Sequence, residues 1–183
     1  MSEPRFAKAP SEEHRGIPVA VFLEDIPAAV AKYGVQDSLS ELTLLLQKYK
    51  FWEGRLGSQR KALAMKIPST EQSLEVIDLL EGRAAKEESI ETTFEISDQL
   101  FARARVEDCH RVFVWLGANV MVDMSTAEAA SLLRESLQEA KASLDAHNAD
   151  LQFVRDQMNV TEVNMTRIFN HDIIEKRKGM GQG

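Results

Sequence analysis

Apolar residues recur with a 3.5-residue period over two long stretches of this chain. With Leu39 as heptad position a, the a series reads Leu39, Leu46, Glu53, Arg60, Ile67, Leu74 and Glu81, and the d series Leu42, Tyr49, Leu56, Leu63, Thr70, Ile77 and Ala84. Ten of these fourteen positions are apolar. A second frame from Ala130 has Ala130, Leu137, Leu144, Leu151, Met158 and Met165 at a, and Leu133, Ala140, His147, Val154, Thr161 and Ile168 at d, ten of twelve apolar. A seam sustained this long is a coiled-coil pattern, far beyond the ~11 residues of an average globular helix. Ser38-Leu39-Ser40-Glu41 and Ser125-Thr126-Ala127-Glu128 both fit a capping box, so the spacing predicts helices over 38–88 and 125–175. At 1.5 Å per residue each reaches ~70–75 Å, and the equal lengths predict antiparallel pairing. Pro68 lacks a backbone donor and predicts a kink in the first helix.

Between the two stretches the period changes from 3.5 to 2. Phe94 and Ile96 alternate with polar neighbours, then Ala102, Ala104 and Val106 with Arg103 and Arg105. A dense run, Val112-Phe113-Val114-Trp115-Leu116, precedes Val120-Met121-Val122. These predict four short strands in two hairpins over 91–123, broken near Ser97-Asp98, Glu107-Asp108 and Gly117-Ala118. Such strands leave free edges and a half-covered apolar face, which other subunits should complete. Upstream, 16–36 reads as an apolar segment and a short helix with Asp25 as N-cap, Pro27 in the first turn and Gly34 as stop. Residues 1–15 read as a disordered leader without a signal-peptide core, and 176–183 as a disordered tail. The fold class is therefore mainly α with a small β region, a long two-helix coiled coil joined by two β-hairpins.

Composition agrees with few turns. All five prolines lie within the first 68 residues, and Gly117 is the only glycine between Gly82 and Gly179. A net charge of −7 without a cationic block argues against nucleic acid as a partner. No apolar run is long enough to span a membrane, and Cys109, the single cysteine, forms no disulfide framework and fits a reducing compartment. Chemistry finds little support. Cys109 and His110 are sequence neighbours whose side chains point apart, not a converging nucleophile and base. His147 has no His or Cys three or four residues away and reads as a seam residue, so no metal site is assigned. Glu87-Glu88 reads as solvated surface, and no phosphate-binding loop is present, so no cofactor or nucleotide is expected.

Several segments carry a family likeness. Arg15-Gly16-Ile17-Pro18, Phe22-Leu23-Glu24-Asp25-Ile26, Gln47-Lys48-Tyr49-Lys50-Phe51, Trp115-Leu116-Gly117-Ala118-Asn119-Val120-Met121, Phe153-Val154-Arg155-Asp156-Gln157 and Thr161-Glu162-Val163-Asn164-Met165 resemble the α-class subunits of the prefoldin family. The likeness covers about residues 15–175 and departs at His171, where the family usually has Trp. It implies a β-barrel platform from which coiled-coil tentacles hang. It also implies a heterohexamer with one further α-class and four β-class chains, capture of unfolded actin and tubulin without ATP, and delivery to the cytosolic group II chaperonin. The implied location is the cytoplasm, with the nucleus as a second compartment.

The heptad frame tests that implication independently, since positions facing away from the seam should be polar in a simple coil. Instead Leu44, Phe51, Trp52, Phe153, Val160, Val163, Phe169 and Ile173 gather where the two free helix ends meet, as expected of a client-binding surface. The apolar segment 17–33 offers a competing cover, folding back over the same patch as a third helix. Phe94, Ile96, Val112, Phe113, Val114, Trp115, Leu116, Val120 and Val122 are the expected subunit-assembly strand residues. Gly54 and Gly57, each costing ~1 kcal/mol inside a helix, predict that the outer half of the first helix is the softer one. The rival reading is a structural adaptor or tether whose outward residues bind one fixed, folded partner.

Overall fold

The computed structural model describes residues 5–11 and 14–180. Its elements are strands β1 (Ala7–Ser11) and β2 (Ile17–Ala20), helices α1 (Ile26–Tyr33) and α2 (Val35–Ala84), strands β3 (Ile90–Ser97), β4 (Leu100–Val106), β5 (Arg111–Gly117) and β6 (Val120–Ser125), and helix α3 (Thr126–Met180). The strands pair as three antiparallel two-stranded hairpins, β1–β2, β3–β4 and β5–β6. The chain divides into two compact units, one of residues 1–61 with 145–183 and one of residues 62–144. Helical period and strand period fall where the sequence pattern puts them, and no helix of the described residues is long and apolar enough to cross a membrane.

The heptad frame sorts burial along both long helices. Every a and d position from Leu39 to Ala84 and from Ala130 to Ile168 is buried or half-buried, polar ones included. In the first unit the helices meet antiparallel, Leu42 with Ile168, and Leu45, Tyr49 and Leu56 with Leu151 and Val154. Glu53, which interrupts the a series, pairs with Arg155 across the seam at 3.1 Å. In the second unit Ile77 packs on Ala129 and Ala130, while Glu71–Lys141 and Asp78–Arg134 bridge the seam at 2.7 and 3.3 Å. These ion pairs are exposed and set register more than stability. Gly54 and Gly57 continue the helix with open space beside each Cα. Pro68 lies within continuous helix, where the Ala64 carbonyl receives no N–H from it.

The two capping boxes have different fates. At α3 the Ser125 hydroxyl accepts from the Glu128 N–H at 3.3 Å and the Glu128 carboxylate accepts from the Ser125 N–H at 3.0 Å, which holds that carboxyl below its ordinary range. At α2 the expected box is not a cap. Helix α2 starts at Val35, directly after Gly34, and Ser38 is a buried interior residue whose hydroxyl donates to the Gly34 carbonyl at 2.6 Å. The reason is Gly34 itself, whose φ of +76° turns α1 into α2 with no intervening loop. Asp25 caps α1 as expected, accepting from the Ala28 N–H at 3.0 Å.

Both expected disordered ends change. Within the leader, β1 pairs with β2, and Phe6 is buried against Tyr33 with ring centroids 5.7 Å apart. The leader can order because its apolar residue finds an apolar cluster of Ile26, Leu42 and Ile168 to enter. The remaining leader residues, 1–4, 12 and 13, lie outside the described residues. At the other end α3 runs through to Met180, with Lys176–Asp172 and Lys178–Glu175 pairs at i,i+4 and i,i+3 spacing. Of the expected tail, 181–183 lie outside the described residues.

Candidate functional site

Two surfaces collect the outward apolar residues, one in each unit. In the first unit Leu44, Phe51, Val163 and Phe169 are exposed, Phe51 the most at 67%. Pro18, Leu44, Phe51 and Trp52 line one shallow groove, and Leu39, Met165 and Phe169 line another. Trp52, Phe153, Val160 and Ile173 are half-buried, and the N-terminal segment packs beside Trp52 and Phe153. His14 stacks on Phe153 with centroids 3.9 Å apart and planes 11° from parallel. The competing cover expected as a third helix is thus a strand followed by a helix. Proline at 18 and the extended pattern before it keep residues 17–20 out of a helix, and α1 begins only at Ile26.

A row of polar side chains that the sequence reading passed over holds this cover. Asp150, Gln157 and Asn164 occupy successive g positions of α3, and all three are buried. Asp150 pairs with Arg15 at 2.8 Å and His14 at 3.2 Å. Gln157 accepts from the Ala20 N–H at 2.9 Å. Asn164 accepts from the Leu23 N–H at 3.0 Å and donates to the Val21 carbonyl at 2.7 Å. One turn further, the Arg167 guanidinium donates to the carbonyls of Leu23 and Glu24 and lies 4.8 Å from the Phe22 ring. The spacing is geometric. Two heptads of helix advance ~21 Å, and the seven residues from Arg15 to Phe22 advance ~23 Å if extended. The signal was present as a polar residue every seventh position beside a d column, but its meaning requires a third element.

His147 at its d position is buried, with Nε2 3.1 Å from the Gln59 side-chain oxygen and 3.4 Å from Arg15. Cys109 is buried beside the Glu88 carbonyl while its neighbour His110 is exposed. Among the described residues no group of three or more His, Cys, Asp or Glu side chains is placed to hold a metal ion.

Tyr49 links the seam to the cover. Its side chain is fully buried, its hydroxyl donates to the Pro18 carbonyl at 2.9 Å, and burial pushes its pKa up to about 12. A phenol whose folded-state pKa exceeds its unfolded value contributes stability that is complete below pH ~10 and is lost as pH rises toward ~12. Alkaline unfolding followed by circular dichroism will therefore show a stability loss across that window. Tyr49→Phe will remove that pH dependence; the same slope in the variant would exclude Tyr49 as its source.

In the second unit the hairpins present the other surface. Phe94, Ile96, Phe113, Trp115, Leu116 and Val120 are exposed, Phe113 at 72%. Alternation sends Val112 and Val114 the other way, onto Ile77, Ala129 and Ala130. Val122, paired with Val114, is half-buried as well. Of the expected assembly residues, these three valines thus serve the chain's own fold first. Arg111 and Asp123 form a bidentate cross-strand pair at 2.7–3.1 Å that fixes the β5–β6 register, and this pairing raises the Arg111 pKa. In β3–β4, Phe94 faces Ala102 and Ile90 faces Val106 on one side of the hairpin, with the Thr92–Ala104 pair between them.

A family model described as a prefoldin subunit matches residues 49–171. The chain is 38% identical over 168 residues to prefoldin subunit 3 of Mus musculus, covering 90% of this chain and 86% of the relative. The Homo sapiens prefoldin subunit 3 is similar to the same degree, with 85% of it covered. A probable prefoldin subunit 3 of Dictyostelium discoideum is 33% identical over 162 residues, covering 88% of this chain and 82% of the relative.

Proposed function

This chain belongs to the prefoldin family, as a co-chaperone subunit that assembles with other prefoldin subunits, and from that premise we propose that its exposed coil residues capture unfolded polypeptides. The hairpins join those of one further α-class and four β-class chains in a barrel. The hexamer holds unfolded actin and tubulin without ATP and passes them to the group II chaperonin of the cytoplasm, with the nucleus as a second compartment. No catalytic step is part of this reading.

The observation that carries it is the exposure of Leu44, Phe51, Val163 and Phe169 at coil positions that a two-stranded coil would keep polar. Burying such side chains yields ~25 cal/mol per Å² without demanding a defined sequence, which suits clients that share only their non-native state. Weak contacts on several subunits add through multivalency, so each can still release. Changing all four to Ser in the assembled complex will weaken suppression of denatured-actin aggregation ~1,000-fold or more, at ~1–2 kcal/mol lost per side chain. Undiminished suppression would exclude this surface. The adaptor reading differs in breadth, since a tether for one folded partner would protect no panel of unrelated denatured proteins.

A further inference from the structure

We propose that the groove holding residues 16–25 is a seat for an extended polypeptide of any sequence, and that the chain's own N-terminal segment is the resident occupant, displaced when an unfolded client is captured. This rests on the capture reading above and assigns that surface a second, covered part.

The seat reads main chain. Between Pro18 and Glu24, Tyr49, Gln157, Asn164 and Arg167 all bond to backbone groups of the segment, at the N–H of Ala20 and Leu23 and the carbonyls of Pro18, Val21, Leu23 and Glu24. An unpaired, extended backbone distinguishes an unfolded chain from a folded one, whose N–H and C=O groups are already spent on its own structure. The floor beneath is apolar, built by Leu45, Leu56, Leu151 and Val154, with Ile17 of the segment filling it. Leu44 and Phe51 share a groove with Pro18, so a client held on those exposed residues already touches the occupant's edge.

The occupant can leave as a piece. β2 pairs with β1, which belongs to the same segment, so the hairpin takes its strand bonds with it. The segment joins α2 at Gly34, which already sits at φ +76°. A client strand entering the seat would remake the same backbone bonds that the segment gives up. The segment also gives up the burial of Phe6 and Ile26 and the Asp150 pairs with His14 and Arg15, which the client's own apolar contacts must offset.

Hydrogen exchange by mass spectrometry on the assembled complex, with and without guanidine-denatured actin diluted into it, tests this directly. Amides of residues 17–24 are expected to lose protection when actin is held, while those of β5–β6 do not. Ile17→Asp alters the occupant and leaves the seat intact. It is expected to raise actin capture several-fold, and an added peptide of residues 14–26 is expected to reverse the gain. Protection of 17–24 that persists with actin bound overturns the proposal even if the variant cannot be prepared, and so does an Ile17→Asp complex that captures no better than the parent. Failure of both complexes to capture actin would overturn the capture reading, and this proposal with it.

Discussion

A chain carrying Phe113→Asp together with Trp115→Asp will fold but will not assemble with other prefoldin subunits. Both side chains stand on the solvent face of β5, 72% and 58% exposed, so the isolated chain gives up little when they change. Their partners across the hairpin are Asp123 and Met121; a carboxylate at 113 faces Asp123, whose charge Arg111 already pairs at 2.7 Å, which limits the cross-strand repulsion. In a barrel completed by other subunits the same rings would be buried. An aromatic ring buries 150–250 Å² in full, so hiding the exposed part gives about 3 kcal/mol per residue, and an unpaired carboxylate there costs further desolvation. Incorporation measured by native mass spectrometry should fall more than ~100-fold with the helical circular dichroism unchanged. The contrasting pair, Val112→Asp with Val114→Asp, strikes the side that packs on Ile77, Ala129 and Ala130 and should unfold the second unit instead. Normal incorporation of the Phe113/Trp115 double variant would remove the hairpin face from the assembly interface.

Asn164→Leu should be the most damaging single polar substitution in the first unit. The residue is fully buried, and its amide serves one N–H and one carbonyl of the N-terminal segment. Leucine keeps the volume and removes both bonds, leaving the Leu23 donor and the Val21 acceptor to desolvate unpaired at ~1–3 kcal/mol each. A loss of about 2–4 kcal/mol follows, or roughly 5–15 °C in melting temperature for a chain of this size. Asn159→Leu, exposed on the same helix, should stay within ~0.5 kcal/mol. Urea unfolding of the two side by side is decisive, because equal stabilities would mean that the Asn164 amide does not hold the segment.

Much of this architecture was legible in the residues. The a and d columns forecast burial along two helices of 50 and 55 residues, and alternation forecast all four strands between them. Glycine at 117, at φ +91°, and Asp25 at the start of α1 mark turn and cap as read. The misreadings share one cause. Ser38-Glu41 has the letters of a cap, and the leader has the composition of a disordered tail. In each case a neighbouring element, the Gly34 turn or the Phe6 pocket, overrode the local signal. The outward apolar residues could be located on the helix wheel, yet not sorted into covered and free. Phe153, at a c position beside the g column of Asp150 and Gln157, lies under His14, while Phe51, at f, stays free; that the g column carries a third element is not written in the heptad pattern.

By itself, then, the sequence determined what each element does with its own side chains: which stripe of a helix seeks a partner, which face of a strand is apolar, and that no catalytic constellation stands out. Only the tertiary structure decided what crosses between elements through the backbone. Gln157 and Asn164 are ordinary polar letters until an extended segment lies along them, because the groups that meet them are main-chain N–H and C=O, which nearly every residue carries and no residue type advertises.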